Sequence, residues 1–135
     1  SSADMASEDP YLWYDKKRKR FYAIAKYFSN KGKLDTEFGS LILITSSTGK
    51  DWTVANNYLA SPRKLNFSNG TEVKLSNLER PCLLFDKKGN MQALFAAAAV
   101  KNPYNNKSKQ VNSDENTFNV HIPLQFNKAL AQKQD

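Results

Sequence analysis

The feature that most restricts the fold of this chain is a segment written almost the same way twice. Glu8-Asp9-Pro10-Tyr11-Leu12-Trp13-Tyr14-Asp15-Lys16-Lys17-Arg18 returns as Glu79-Arg80-Pro81-Cys82-Leu83-Leu84-Phe85-Asp86-Lys87-Lys88-Gly89, at an offset of 71 residues. In each copy a glutamate and a proline precede an apolar run, and Asp-Lys-Lys follows it. A second apolar segment comes next, Phe21 to Ala25 in the first copy and Ala93 to Val100 in the second, so each copy predicts strand, tight polar turn, strand. Proline has a fixed φ and no amide hydrogen, which suits the entrance of a strand better than its middle.

A repeat this long, filled with short strands, predicts the blades of a β-propeller, because helical solenoids use shorter units. The expected fold class is all-β, a partial propeller of about two four-stranded antiparallel blades. The expected division is a leader or loop over 1–7, a first blade over 8–78, a second and shorter blade over 79–126, and a C-terminal tail over 127–135. The 135 residues, 40% hydrophobic and 12% aromatic, can supply a core. Two blades do not close a ring, and a propeller hides its sheet edges only by closing. The chain is therefore expected to be the C-terminal part of something longer, completed by an upstream segment or by self-association.

Taken in order, Tyr11 to Tyr14 is a continuous apolar run, as expected of an inner strand covered on both faces. Phe21 to Phe28 and Leu41 to Thr45 predict the next two strands, with a loop at Ser29 to Lys33. Residues 57–71 predict a long connection offering Tyr58, Arg63, Lys64 and Phe67, with Tyr58 and Phe67 expected to pin it down. Ala93 to Val100 is alanine-rich, which favours helix in isolation. Its alignment with the first copy and the stop at Pro103 predict a strand instead. Residues 101–116 predict a mobile polar loop, Thr117 to Leu124 a further strand, and 127–135 a short helical tail.

The formal net charge of +7 raises the question of nucleic acid or membrane surfaces. The densest run, Lys16 to Arg20, falls where the second copy has a Gly-Asn turn, so it predicts a solvated hairpin tip and neither partner is expected. Cys82, the one cysteine, lies in an apolar run and predicts a small buried hydrophobe. No segment approaches the roughly 20 apolar residues of a membrane span.

In a propeller the innermost strands of successive blades open onto one mouth, so Glu8 or Asp9 would meet Glu79 there. Two carboxylates brought together suit glycosidic bond cleavage, in which a protonated carboxyl assists the leaving oxygen and a second carboxylate activates water or attacks. A neighbouring negative charge raises the proton affinity of the donor, while Arg80, if it points at Glu79, does the opposite.

The stretch Glu8-Asp9-Pro10 before an aromatic strand, followed by Leu78-Glu79-Arg80-Pro81, resembles the second and third blades of the five-bladed β-propeller glycoside hydrolases, family 43 and its relatives. The resemblance covers roughly residues 8 to 124. It implies that Glu79 is the general acid and Asp9 the modulator of its pKa, and that the substrate is a polysaccharide or oligosaccharide in an extracellular or periplasmic setting. Trp13, Tyr11 and Arg80 are the matching candidates for substrate contacts, since apolar sugar faces sit on aromatic planes. The family's general base, an aspartate on the preceding blade, has no counterpart here, because Asp4 stands too close to Glu8; no metal or other cofactor is expected. His121 invites comparison with a metal-holding histidine of some members, but a lone histidine in an apolar strand is not assigned. Ser46-Ser47-Thr48-Gly49-Lys50-Asp51-Trp52 resembles the Asp-box hairpin of propeller proteins, with Thr48 where an aspartate is commoner. The alternative function is a non-catalytic carbohydrate-binding or assembly module.

Overall fold

The computed structural model describes residues 7–29, 34–100 and 117–124. Strands β1 (Ser7–Asp15), β2 (Arg20–Tyr27), β3 (Leu41–Ser46) and β4 (Thr53–Ser61) form a four-stranded sheet in chain order. A hairpin of β5 (Lys64–Asn66) and β6 (Glu72–Lys74) follows, then a three-stranded sheet of β7 (Asn77–Phe85), β8 (Met91–Ala99) and β9 (Thr117–Pro123). Every ladder is antiparallel, and no helix occurs among the described residues. The fold is all-β.

The repeat in the sequence is a repeat in the hydrogen-bond register. Leu12 faces Ala23 and Trp13 faces Tyr22 across β1 and β2, while Leu83 faces Leu94 and Leu84 faces Ala93 across β7 and β8. Both first strands are bulged at the proline. Glu8 pairs with Lys26 and Tyr11 with Ile24, and correspondingly Glu79 pairs with Ala97 and Cys82 with Phe95. One side therefore advances three residues while the other advances two. Proline has no amide hydrogen to give the ladder, and the residue before it, Asp9 or Arg80, takes φ of 51°. The extra residue resets the alternation, so that Glu8 shares a side of the sheet with Tyr11 and Trp13.

The two hairpin tips are closed by the repeated aspartate. Asp15 Oδ1 accepts from the Arg18 amide at 2.9 Å, and Asp86 Oδ1 accepts from the amides of Lys88 and Asn90, both at 2.8 Å. The basic run thus forms the turn over Lys16 to Lys19, with Arg20 opening β2. At the β3–β4 hairpin, Ser46 Oγ accepts from the amides of Thr48 and Gly49, and Thr48 Oγ1 from those of Lys50 and Asp51. The Trp52 indole then donates to the Gly49 carbonyl at 3.2 Å.

The main core lies between the first and third sheets. Ile24, Leu41, Leu78, Leu83, Leu94 and Val120 are buried in it, with Tyr11, Trp13 and Phe85 packed alongside. Ala96 and Ala98 in the alanine run belong to this core. Alanine's helical preference is overridden because β8 is hydrogen-bonded on both sides, to β7 and to β9. A second cluster of Ala23, Tyr27, Ile42 and Ile44 is packed by Leu34, Trp52 and Tyr58.

Several expectations change. Residues 57–71 are not one long connection: β4 runs on to Ser61, and β5 and β6 pair Lys64 with Lys74 around a turn at Gly70, whose φ is +85°. Tyr58 does anchor its strand, but Phe67 is half exposed. Cys82 is exposed and Pro81 buried, because Pro81 and Leu83 take the side of β7 that meets the core and Cys82 falls on the opposite side. Leu12 and Tyr14 are also exposed, so β1 is covered on one face and not on both. Ser7 already belongs to β1, and the third sheet begins at Asn77. Residues 1–6, most of the Ser29 to Lys33 loop, the polar stretch 101–116 and the tail 127–135 lie outside the described residues.

Candidate functional site

The bulge and the packing of β7 against β1 and β2 bring three charged side chains together. Lys26 Nζ lies 2.7 Å from Glu79 Oε1 and 2.9 Å from Glu8 Oε1. Its side chain is only 9% exposed, whereas those of Glu8 and Glu79 are 44% and 31% exposed. The cation thus sits beneath two carboxylates supplied by equivalent positions of the two copies. Asn77 Nδ2 donates to the same Glu79 Oε1 at 3.0 Å, and the Phe28 ring lies 5.5 Å from the ammonium.

The electrostatics follow from this geometry. The hydrogen bond from Lys26, then that from Asn77, holds the Glu79 carboxyl below its ordinary value of 4.5, against the opposing effect of burial. For Lys26, burial disfavours the charged form, but the hydrogen bonds to Glu79 and Glu8 outweigh it and raise its proton affinity above the ordinary 10.5. In this arrangement Glu79 is a carboxylate at neutral pH.

The two carboxylates expected to share a mouth, Asp9 and Glu79, take different partners. Asp9 Oδ2 stands 3.9 Å from Arg80 Nε, a loose contact in which the arginine side chain is 80% exposed. Glu8 is the acidic residue that joins Glu79, through Lys26. The opposite directions of successive residues around the bulge separate Glu79 from Arg80 and Glu8 from Asp9. Tyr11 and Trp13 tie the sheets together. The Tyr11 hydroxyl donates to the Leu83 carbonyl at 3.3 Å, and Trp13 stacks on Tyr22 at 5.6 Å and tilts against Phe85 at 5.8 Å.

The charged groups of the 57–71 segment are also engaged. Arg63 donates to the Ser76 carbonyl at 2.9 Å and to Glu37 at 3.1 Å, and Lys64 pairs with Glu72 at 2.7 Å. Gly39, at φ +84°, leaves room for Arg63, whose Cδ would stand 2.9 Å from an added Cβ. An open cleft of about 540 Å³ between β5 and β9 is lined by Phe67, Phe118 and His121 but by none of Glu8, Lys26 and Glu79. His121 is exposed and stacks on Phe95 at 5.0 Å. Among the described residues no three His, Cys, Asp or Glu side chains gather as a metal site would require, and no helix is long and apolar enough to cross a membrane.

Lys26 is the residue that reading the sequence missed. The available signal was a lone lysine within the apolar run Phe21 to Phe28, directly across the ladder from Glu8 and replaced by Ala97 in the second copy. No family model, curated protein or solved structure matches the chain.

Proposed function

We propose that this chain is part of a glycoside-hydrolase-like β-propeller, with β1–β4 as one blade and β7–β9 as the next, and that Glu79 handles the proton in cleavage of a glycosidic bond. The observation that carries this reading is the meeting of repeat-related Glu8 and Glu79 on one ammonium, where β1 and β7 enter their sheets. In the reaction, Glu79 first takes up a proton from water against the hold of Lys26 and Asn77, then gives it to the bridging oxygen as the bond from that oxygen to the sugar carbon breaks. The bonding pair leaves with the oxygen as a neutral alcohol and Glu79 returns to carboxylate. Water adds to the sugar carbon and gives its proton to a second carboxylate, the general base for which the sequence offers no counterpart. Asp9 acts through Arg80, whose charge is the smallest of the influences that hold Glu79 ionised, so its effect is the lesser one.

The outer faces support a propeller that continues beyond these two sheets. Leu12 and Tyr14 on one side, and Leu84 and Phe95 on the other, are exposed apolar residues on inner or neighbouring strands. Adjoining sheets, from the same polypeptide or from another copy, would cover them.

Assay of Glu79→Gln and Asp9→Asn against a panel of glycosides tests the reading. Loss of the acid is expected to cost about 10²-fold or more on alkyl glycosides and far less on activated aryl glycosides, whose leaving groups need little protonation. Asp9→Asn is expected to give a smaller loss. Equal rates for parent and Glu79→Gln on the alkyl substrates sink the assignment. A second reading, a non-catalytic carbohydrate-binding or assembly module, is favoured by the bonds that hold Glu79 ionised, the form that accepts hydrogen bonds from sugar hydroxyls. Oligosaccharide binding without turnover of any glycoside supports it.

A further inference from the structure

We propose that Lys26 is a counter-ion shared between Glu8 and Glu79, and that Glu8 is a positioning residue which sets the protonation of Glu79 by competing for that one ammonium. The clause that Glu79 handles a proton rests on the function proposed above; the sharing itself rests on geometry. Both carboxylates lie within hydrogen-bond distance of Lys26 Nζ, and they come from different strands and from equivalent positions in the two copies. In the first copy the lysine is the cross-ladder partner of the glutamate, Glu8 opposite Lys26. In the second copy that place is Ala97, opposite Glu79, so Glu79 has no ammonium of its own in its ladder and draws on the first copy's.

The asymmetry of burial gives the sharing a direction. The lysine head is enclosed, while both carboxylates reach solvent, so a ligand oxygen meets the glutamates first. A sugar oxygen drawn to Glu79 competes with Lys26 for the carboxylate, and Glu8 is already placed to keep the ammonium paired when that contact loosens. Burying an ammonium without a partner is costly, and Glu8 removes that obstacle to its leaving Glu79. The charged and polar groups at the cluster are Glu8 from β1, Lys26 from β2 and Asn77 from β7, with Arg80 of β7 acting on Glu79 more weakly from beside Asp9. Of these, Asn77 is uncharged and Arg80 is largely in solvent and beside Asp9, which leaves the Glu8–Lys26 balance as the adjustable element.

The test is a carboxyl-carbon NMR titration of the whole chain, with the Glu79 signal assigned by its loss in Glu79→Gln. Lys26→Met is expected to move the Glu79 midpoint up. Glu8→Gln is expected to move it down, because the ammonium then serves one carboxylate and a neighbouring negative charge is gone. A Glu79 midpoint unchanged in Glu8→Gln, or raised by it, overturns the sharing. Should Lys26→Met fail to fold, Glu8→Gln decides alone, since Glu8 is nearly half exposed. Both midpoints moving as expected while Glu79→Gln hydrolyses alkyl glycosides at the parent rate retains the counter-ion and removes the sugar-cleaving reading. Glu79-dependent turnover with a Glu79 midpoint insensitive to Glu8→Gln does the reverse.

Discussion

The two copies of the repeated unit keep one backbone and use it differently. β1 and β7 share a bulge, a φ of 51° before proline and the same register against their partners as far as Trp13 and Leu84, beyond which β7 shifts once more toward its turn. Their side chains differ in what covers them. Leu12 is 53% exposed, whereas its counterpart Leu83 is 5% exposed and lies in the main core. Tyr11 and Trp13 face the neighbouring sheet, whereas their counterparts Cys82 and Leu84 face outward. A sequence repeat therefore conveys strand geometry faithfully, while the environment of each residue depends on which neighbour its sheet has.

The sharpest way to break this comparison is to truncate the same residue in both copies. Leu83→Ala is expected to cost about 2–5 kcal/mol, and Leu12→Ala about 0.5 kcal/mol or less, by chemical denaturation. Similar losses at both positions would mean that Leu12 is also covered, and would show a further sheet or copy packed on β1.

A smaller effect concerns the ammonium that only the first copy possesses. Glu79's pKa is lowered, so its contribution to stability is present above pH 4.5 and is lost as pH falls through the lower folded value. Lys26's pKa is raised, so its contribution is present below pH 10.5 and is lost as pH rises through the higher folded value. Melting temperature is expected to decline at both extremes, and Lys26→Met to shrink both declines. Loss of the Lys26 charge breaks both ion pairs whereas protonation of Glu79 breaks one, so the alkaline loss should exceed the acid loss, and added salt should weaken both. Identical profiles for the parent and Lys26→Met count against the cluster.

The smallest effect lies at the bulge itself. Glycine adopts positive φ without the strain an arginine side chain meets there, and Arg80 has only a loose partner. Arg80→Gly is expected to stabilise by on the order of 0.5 kcal/mol, and Asp9→Gly by less, since aspartate tolerates this conformation better. Destabilisation by Arg80→Gly in a denaturant titration would show that its side chain contributes more than its contacts suggest.

Much of the architecture was legible because β-strand signals are local. Alternation, Gly-Asn and Asp-Lys-Lys turns and the offset of 71 residues located β1, β2, β3, β7, β8 and β9 to within a few residues. The alanine run is legible as a strand through its alignment with the first copy and the stop at Pro103, since its composition says helix. What escaped was long-range or depended on parity. The β5–β6 hairpin is three residues on each side, too short for alternation to declare itself. The side taken by Glu8 follows from one extra residue at the bulge, which simple alternation cannot register, and the exposure of Cys82 follows from which face of its sheet meets the core. At the candidate site Glu79 was legible from its place before proline, but its partner was not, because Lys26 reaches it across 53 residues of sequence.

The bulge also makes chain length a phase setting for the acidic residue. A strand shortened by one at Arg80 would regain ordinary pleating, and its two ends could stay at the same height in the sheet while Glu79 swung half a turn about the strand axis, away from the ammonium. Loss of a single residue, with no change of chemistry anywhere, would thereby uncouple the two halves of the repeat electrically while leaving them joined mechanically.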